Sequence, residues 1–490
     1  MRKSTRIILG AYGALVGVWL AGSAYFLVNG RDEELDEGLI PSVEPLPREE
    51  NAYYLFPKLH EFHQTNFNFA VANDFVNGWT NSPALLAEVS ELVDAHSNLF
   101  ACARQIVRCR GYQIPADENK MMAVGPLVNH PTARLYLMKA MCEAVRGDRK
   151  AAQSTIDELI EFGRFVRRTG LVVGVLVGDG YVGMAIQHGE RSPIAAPEDC
   201  AWRSHLMEVL DTQKGPPLDL IGAIEGELSA IRQKSEELRT NDVKMMSYLM
   251  MDGLDGLGWL LRNNRKNAGY EILFDRPTSV DWARVDRASV IGVLSCCLGY
   301  SRYAFKLNAT LNEMSRRSRE LSEKFNTGSY DRDYAQGSGA RSVRRTVLTP
   351  FRENWLADSV FWDMRSVYRR HYKALFDWRC GRLRMACENF RFAKGRYPED
   401  LAELAPEFID AIPRDSYDGE MIRYNAEHGF FWTPGPDGTF EGRVDFDEDG
   451  YPKWRNRIQR NLVHLLDTTK WNRPPSYYLP RQHQRSKKAK

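Results

Sequence analysis

From Ile7 to Val28 the chain runs 22 residues without a charged side chain: IILGAYGALVGVWLAGSAYFLV. At ~1.5 Å per residue, a helix of that length spans roughly 30 Å of hydrocarbon. The nearest later stretch, 171–186, is interrupted by Gly174, Gly178, Asp179, Gly180 and Gly183, and predicts a buried core helix instead. Elsewhere apolar positions recur at three-to-four spacing, the signature of amphipathic helices. Ser82-Pro83 is an N-cap and first-turn pair ahead of Leu85, Leu86, Val89, Leu92, Val93, Leu99, Phe100 and Ala103. The same periodicity runs through 132–146, 149–168, 197–212, 217–239, 278–324 and 350–394. Between the last two, the Gly/Ser/Arg-rich stretch 325–346 predicts a mobile loop.

Past residue 396 the period changes. Short β-prone runs at 421–424, 429–432 and 443–446 alternate with turn residues, which predicts a small α+β module behind a long helix. The fold class expected is therefore mainly α: one transmembrane helix, an elongated α-helical bundle and a small C-terminal α+β module. Its segments are a cytoplasmic end and anchor (1–30), a Pro-rich linker (31–57), an exported helical domain (58–395), the α+β module (396–475) and a basic tail (476–490). Within the bundle, Gly147-Asp148-x-x-x-Ala152 joins two apolar-periodic helices and resembles the turn of a tetratricopeptide hairpin. No 34-residue period accompanies it.

Charge orients the chain. Lys+Arg number 66 and Asp+Glu 64, a net +2 that excludes a polyelectrolyte such as a strongly basic nucleic-acid binder. The distribution is uneven. Arg2, Lys3 and Arg6 precede the apolar run, and Asp32, Glu33, Glu34, Asp36 and Glu37 follow it. Positive charge stays cytoplasmic, so the amino terminus is placed inside the inner membrane and the bulk on the periplasmic or outer side. A secretory signal peptide is the rival reading, with Gly22-Ser23-Ala24 as its cleavage site. Gly13, Gly17 and Ala21 share one helix face and would let two such helices pair as a homodimer.

The stretch 386–450 carries a resemblance. Its helix end Lys394-Gly395-Arg396-Tyr397-Pro398, then Leu401 and Leu404, Ile412-Pro413-Arg414-Asp415, Ile422-Arg423-Tyr424 and Gly435-Pro436-Asp437-Gly438 resemble the globular part of the major pseudopilins of type II secretion. They are still more similar to a segment that ends many uncharacterised membrane-anchored envelope proteins of planctomycete-type bacteria. The second resemblance implies no activity. Against the first, more than 350 residues separate anchor from module, and Met1–Gly10 lacks a leader peptidase site and glutamate. In the module, Gly395 is expected to end the helix and Pro398 to start the next one. Tyr397, Leu401, Leu404, Phe408 and Ile412 are expected on the long helix, with Tyr424 and Phe430 on the sheet.

Candidate chemistry is sparse. Asp445-Phe446-Asp447-Glu448-Asp449-Gly450 has the spacing that opens a calcium loop, although position twelve is Asn456 instead of glutamate. Pseudopilin heads hold calcium in the corresponding acidic loop, which implies Asp437, Asp445, Asp447 and Asp449 as ligands here. His60 and His63 are spaced for a shared metal but have no third partner nearby. Asp179 is a buried-acid candidate, for which Arg164 or Arg168 is the expected partner. The eight cysteines include Cys102/Cys109 and Cys380/Cys387, each pair about 10 Å apart and too far to bridge within its own helix; buried free thiols are expected, with bridges between helices as the alternative. The tail between Arg481 and Lys490 carries five basic residues suited to anionic envelope polymer or to solubility. No nucleophile elbow, phosphate loop or H-E-x-x-H stands in the chain, so no catalytic residue is assigned. The leading expectation is a non-enzymatic envelope protein making protein contacts. The alternatives are an exported hydrolase and an accessory to a secretion or pseudopilus system.

Overall fold

A computed structural model describes residues 34, 36, 46–61, 75–76, 83–113, 130–170, 172–212, 307–336, 364–446, 452–453 and 462–466. These residues are mainly helical, with a small sheet. The expected anchor 7–28 with Gly13, Gly17 and Ala21, the helix at 217–239 and the basic tail lie outside them. Among the described residues no helix is long and apolar enough to cross a membrane.

The helices are α1 (Phe56–Glu61), α2 (Pro83–Ala95), α3 (Ser97–Arg108), α4 (His130–Val145), α5 (Arg149–Arg167), α6 (Val172–Gly189), α7 (Cys200–Thr212), α8 (Leu307–Asn326), α9 (Arg332–Gln336) and α10 (Met364–Lys394). The strands are β1 (Arg423–Asn425), β2 (Phe430–Trp432), β3 (Asp445–Phe446), β4 (Pro452–Lys453) and β5 (Val463–Leu465). The chain divides into two compact units. One gathers Met1–Val43, Glu225–Glu320 and Ser338–Met364; the other gathers Glu44–Ile224, Leu321–Gly337 and Arg365–Lys490.

In the first unit the described residues are Glu34, Asp36, the amino-terminal part of α8 and Met364. The buried face of α8 is polar as well as apolar, with Ala309, Asn312, Ser315 and Ser318. Glu313 receives both Arg316 and Arg317.

In the second unit, α2 packs beside α4 and α4 beside α6, while α3 lies on α5. Gly147, at φ +91°, lets the chain reverse after α4. Asp148 then caps α5 by accepting the Ala151 N–H at 3.0 Å. Ala152, Ile156, Leu159 and Ile160 form the buried stripe of α5, as their spacing predicts. Its closest partner is α6. A Cβ placed on Gly178 would lie 2.5 Å from the Gly163 carbonyl oxygen, and one on Gly163 would lie 2.9 Å from Val182. Gly163 and Gly178 thus mark the place where two helix backbones touch, and α6 is a core helix.

The long helix α10 carries the small sheet. Gly395, at φ +77°, ends it, its N–H donating to the Arg391 carbonyl at 2.8 Å. Strands β1, β2 and β5 form an antiparallel sheet in that order, with Tyr424 opposite Phe431 and Phe431 opposite His464. Phe430, Val463 and Leu465 form its core under Trp432, Phe440, Val444 and Phe446.

Two expectations change. The short helix after Pro398 is a 3-10 turn, Leu401–Leu404, started by an Asp400–Glu403 capping box, because a side-chain cap satisfies N–H groups that proline cannot. Tyr397 meets the long helix as expected, its hydroxyl donating to Glu388 and its ring under Arg391, and at 36% exposure it sits at the rim of the core that Leu401 and Leu404 fill. Part of the expected loop 325–346 is ordered. Tyr330 packs on Tyr368, Tyr372 and Tyr417 with ring centroids 5.5, 5.1 and 5.0 Å away, and α9 follows. Aromatic burial outweighs a Gly/Ser-rich composition there.

Candidate functional site

Among the described residues, a group of ionisable side chains lies along one face of α10. Lys373, Asp377, Cys380 and Arg384 are spaced four, three and four apart, so the helix period places them in a single stripe. Strand β5 meets this stripe through His464. Its Nε2 lies 2.8 Å from Asp377 Oδ1, and the Lys373 ammonium donates to both Asp377 oxygens at 2.8 and 2.6 Å.

The protonation states follow from these partners. Burial pushes the Asp377 carboxyl up, but the His464 hydrogen bond and the Lys373 ammonium outweigh it and hold it below the usual carboxylate value. Burial lowers His464 below its ordinary value, with Asp377 acting in the opposite sense. The imidazole is therefore neutral near pH 7. An ionised carboxylate only accepts, so Nε2 carries the proton. Burial, reinforced by Asp377, pushes the Cys380 thiol well above its usual range, and it stays protonated. The His464 ring also packs 5.4 Å from Phe376.

Two arginines of α10 are answered from elsewhere in the fold. Arg382 donates to Asp211 at 2.7 Å and Arg384 to Glu190 at 3.0 Å. On the neighbouring loop, Asp415 is buried. Burial raises its carboxyl, although it accepts the Tyr417 N–H at 2.8 Å and faces Arg423 at 3.4 Å. Chemically, the arrangement offers a carboxylate–imidazole pair with an adjacent ammonium. It can orient a proton, and it ties β5 to α10.

The residues singled out from sequence are scattered relative to this group. Asp437 accepts the Thr439 N–H at 3.1 Å, capping its own turn. Asp445 stands on β3 opposite Lys453, while Asp447 and Asp449 lie outside the described residues. Among the described residues no three metal-ligating side chains converge. The side chains of His60 and His63 also fall outside them. Asp179 is paired, but with Arg167 at 3.3 Å, whose guanidinium also lies over the Trp378 ring at 5.4 Å. The expected partners are engaged otherwise: Arg164 holds Glu161, and Arg168 caps the end of α5. Helix rotation explains this, since 167 lies on the buried face that meets α6, whereas 164 is turned toward Glu161. Cys102, Cys109, Cys142, Cys200, Cys380 and Cys387 are unbridged thiols.

Sequence reasoning missed Lys373, Asp377 and His464. The i, i+4 spacing of Lys373 and Asp377 was legible, but no local signal joins them to a histidine 87 residues away.

Compared with known protein families, curated proteins and solved structures, the chain has no match.

Proposed function

We propose that this chain is a single-pass, membrane-anchored envelope protein whose helical, tetratricopeptide-like body and pseudopilin-like C-terminal module make protein contacts. The observation that carries the reading is the charge-free run 7–28 with basic residues before it and acidic residues after it. The interior chemistry supports a binding role, because Arg382 and Arg384 on α10 are spent on joining elements of the fold. Phe392 near the end of α10 and Met421 ahead of β1, 53% and 64% exposed, are the apolar side chains offered for such contacts. Two experiments test the reading. Carbonate washing of membranes should leave the full chain in the pellet. Cross-linking in membranes followed by co-purification should recover a defined partner, lost in a Phe392→Glu/Met421→Glu variant. A monomer without cross-links counts against the contact role.

The Asp377–His464 pair favours the second reading, an exported hydrolase. On that reading Asp377→Asn would abolish hydrolysis of ester or peptide substrates, with circular dichroism separating this loss from loosening of the β5–α10 tie. Calcium binding by the acidic loop is the remaining proposal. Asp437 is already engaged with its own turn, so Asp445, Asp447 and Asp449 are the residues that would hold the ion.

A further inference from the structure

Two tyrosines of the segment 329–336 and three from α10 and the loop behind it form one connected cluster of phenols. Tyr334 lies 5.1 Å from Tyr368 and Tyr368 4.8 Å from Tyr372, measured between ring centroids. Tyr330 reaches Tyr368, Tyr372 and Tyr417 at 5.5, 5.1 and 5.0 Å. All five belong to one compact unit. Tyr368, Tyr372 and Tyr417 are buried, whereas Tyr330 and Tyr334 are half-buried and bring the cluster to the surface.

Packing alone does not call for phenols here. The Tyr368 hydroxyl accepts the Asp331 N–H at 2.7 Å and donates to the Ser329 carbonyl at 3.2 Å, which pins its ring. The Tyr330 hydroxyl is buried and has no hydrogen-bond partner among the described residues. A buried hydroxyl without a partner costs stability that the same ring in phenylalanine would not. The ring nevertheless lies nearly parallel to that of Tyr368, with 22° between their planes. What a phenol adds to phenylalanine is redox chemistry. It can give up one electron and one proton, leaving a radical whose unpaired spin rests partly on the ring carbons beside the oxygen. Rings this close pass such a hole from one phenol to the next, so an oxidant need reach only Tyr330 or Tyr334.

We propose that the cluster is a one-electron oxidation site at which Tyr330 and Tyr368 couple into a dityrosine. The oxidant is hydrogen peroxide acting through a haem peroxidase. Each phenol loses one electron and one proton, and the Tyr368 proton leaves to water past Ser329, an exposed residue. A ring carbon ortho to each hydroxyl then forms the new C–C bond, and the hydrogens on those two carbons move to the oxygens, restoring both phenols. Hydrogen peroxide takes up the two electrons and two protons and leaves as two waters. The product staples the segment 329–336 covalently to α10.

The test treats the full chain in detergent with hydrogen peroxide and a haem peroxidase. Dityrosine fluorescence should rise, and peptide mapping should recover Tyr330 joined to Tyr368 within one chain, two hydrogens lighter than the separate peptides. Tyr330→Phe keeps the ring and removes a hydroxyl that bonds to nothing, so it should fold at least as stably as the natural chain. It should also lower the dityrosine fluorescence severalfold. Dityrosine joined only through other tyrosines, fluorescence unchanged in Tyr330→Phe, or folded protein that forms no internal cross-link overturns the proposal.

Discussion

Arg384 and Glu190 form an ion pair between α10 and the turn that ends α6. Nε donates at 3.0 Å, and the two side chains are 11% and 7% exposed. A pair this buried gains little over apolar packing, but removing one partner strands a charge out of water. Glu190→Ala should therefore destabilise the protein by about 3–5 kcal/mol. Chemical unfolding of the full chain measures it, and the double variant Glu190→Leu/Arg384→Met should recover most of the loss.

The crossing of α5 and α6 predicts two opposite glycine effects. Gly178→Ala puts a methyl 2.5 Å from the Gly163 carbonyl and should cost about 1–3 kcal/mol by forcing the helices apart. Gly180→Ala meets nothing within 4 Å and should stabilise by up to about 1 kcal/mol through helix propensity. Thermal unfolding of the two variants should shift in opposite directions.

Acid should weaken the fold before its carboxylates are protonated. Burial, with Arg191 adding to it, lowers His188 to about 3. Burial, with Arg167 and Arg379, lowers His371 to about 4. Their unfolded value is about 6.5, so below that pH the unfolded chain binds protons that the folded chain refuses. Stability is full above about pH 6.5 and falls as pH drops toward the folded values, by up to ~1.4 kcal/mol per unit for each histidine. The denaturant midpoint should decline between about pH 7 and about pH 5, less steeply in His188→Gln. A flat midpoint over that range contradicts the lowered titration of these imidazoles.

Calcium should bind through the acidic loop with the weak affinity of extracellular modules, a Kd on the order of 0.1–1 mM. Isothermal titration of the full chain should give heat that Asp445→Asn and Asp447→Asn remove. No heat at millimolar calcium removes the metal from consideration.

Much of the helical architecture was legible because its signals are local. The stripe Ala152–Ile156–Leu159–Ile160, the Gly147-Asp148 reversal and the Gly395 stop act through neighbours within a turn or two, and each forms as its residues predict. The sheet was legible in part. β1 and β2 coincide with the β-prone runs at 421–424 and 429–432, but β5 was not foreseen, since three residues show no period of their own.

By itself the sequence determined the helix periods, the turns and the polarity of charge about the run 7–28, all properties of nearby residues. Only the tertiary structure decided which charges meet. It chose Arg167 over Arg164 and Arg168 for Asp179, brought His464 to Asp377, and turned Asn312 toward Glu34 and Asp36 across 278 and 276 residues. The physical reason is that a buried polar group must find its partner wherever packing brings one, and packing depends on the rotation and crossing of whole helices.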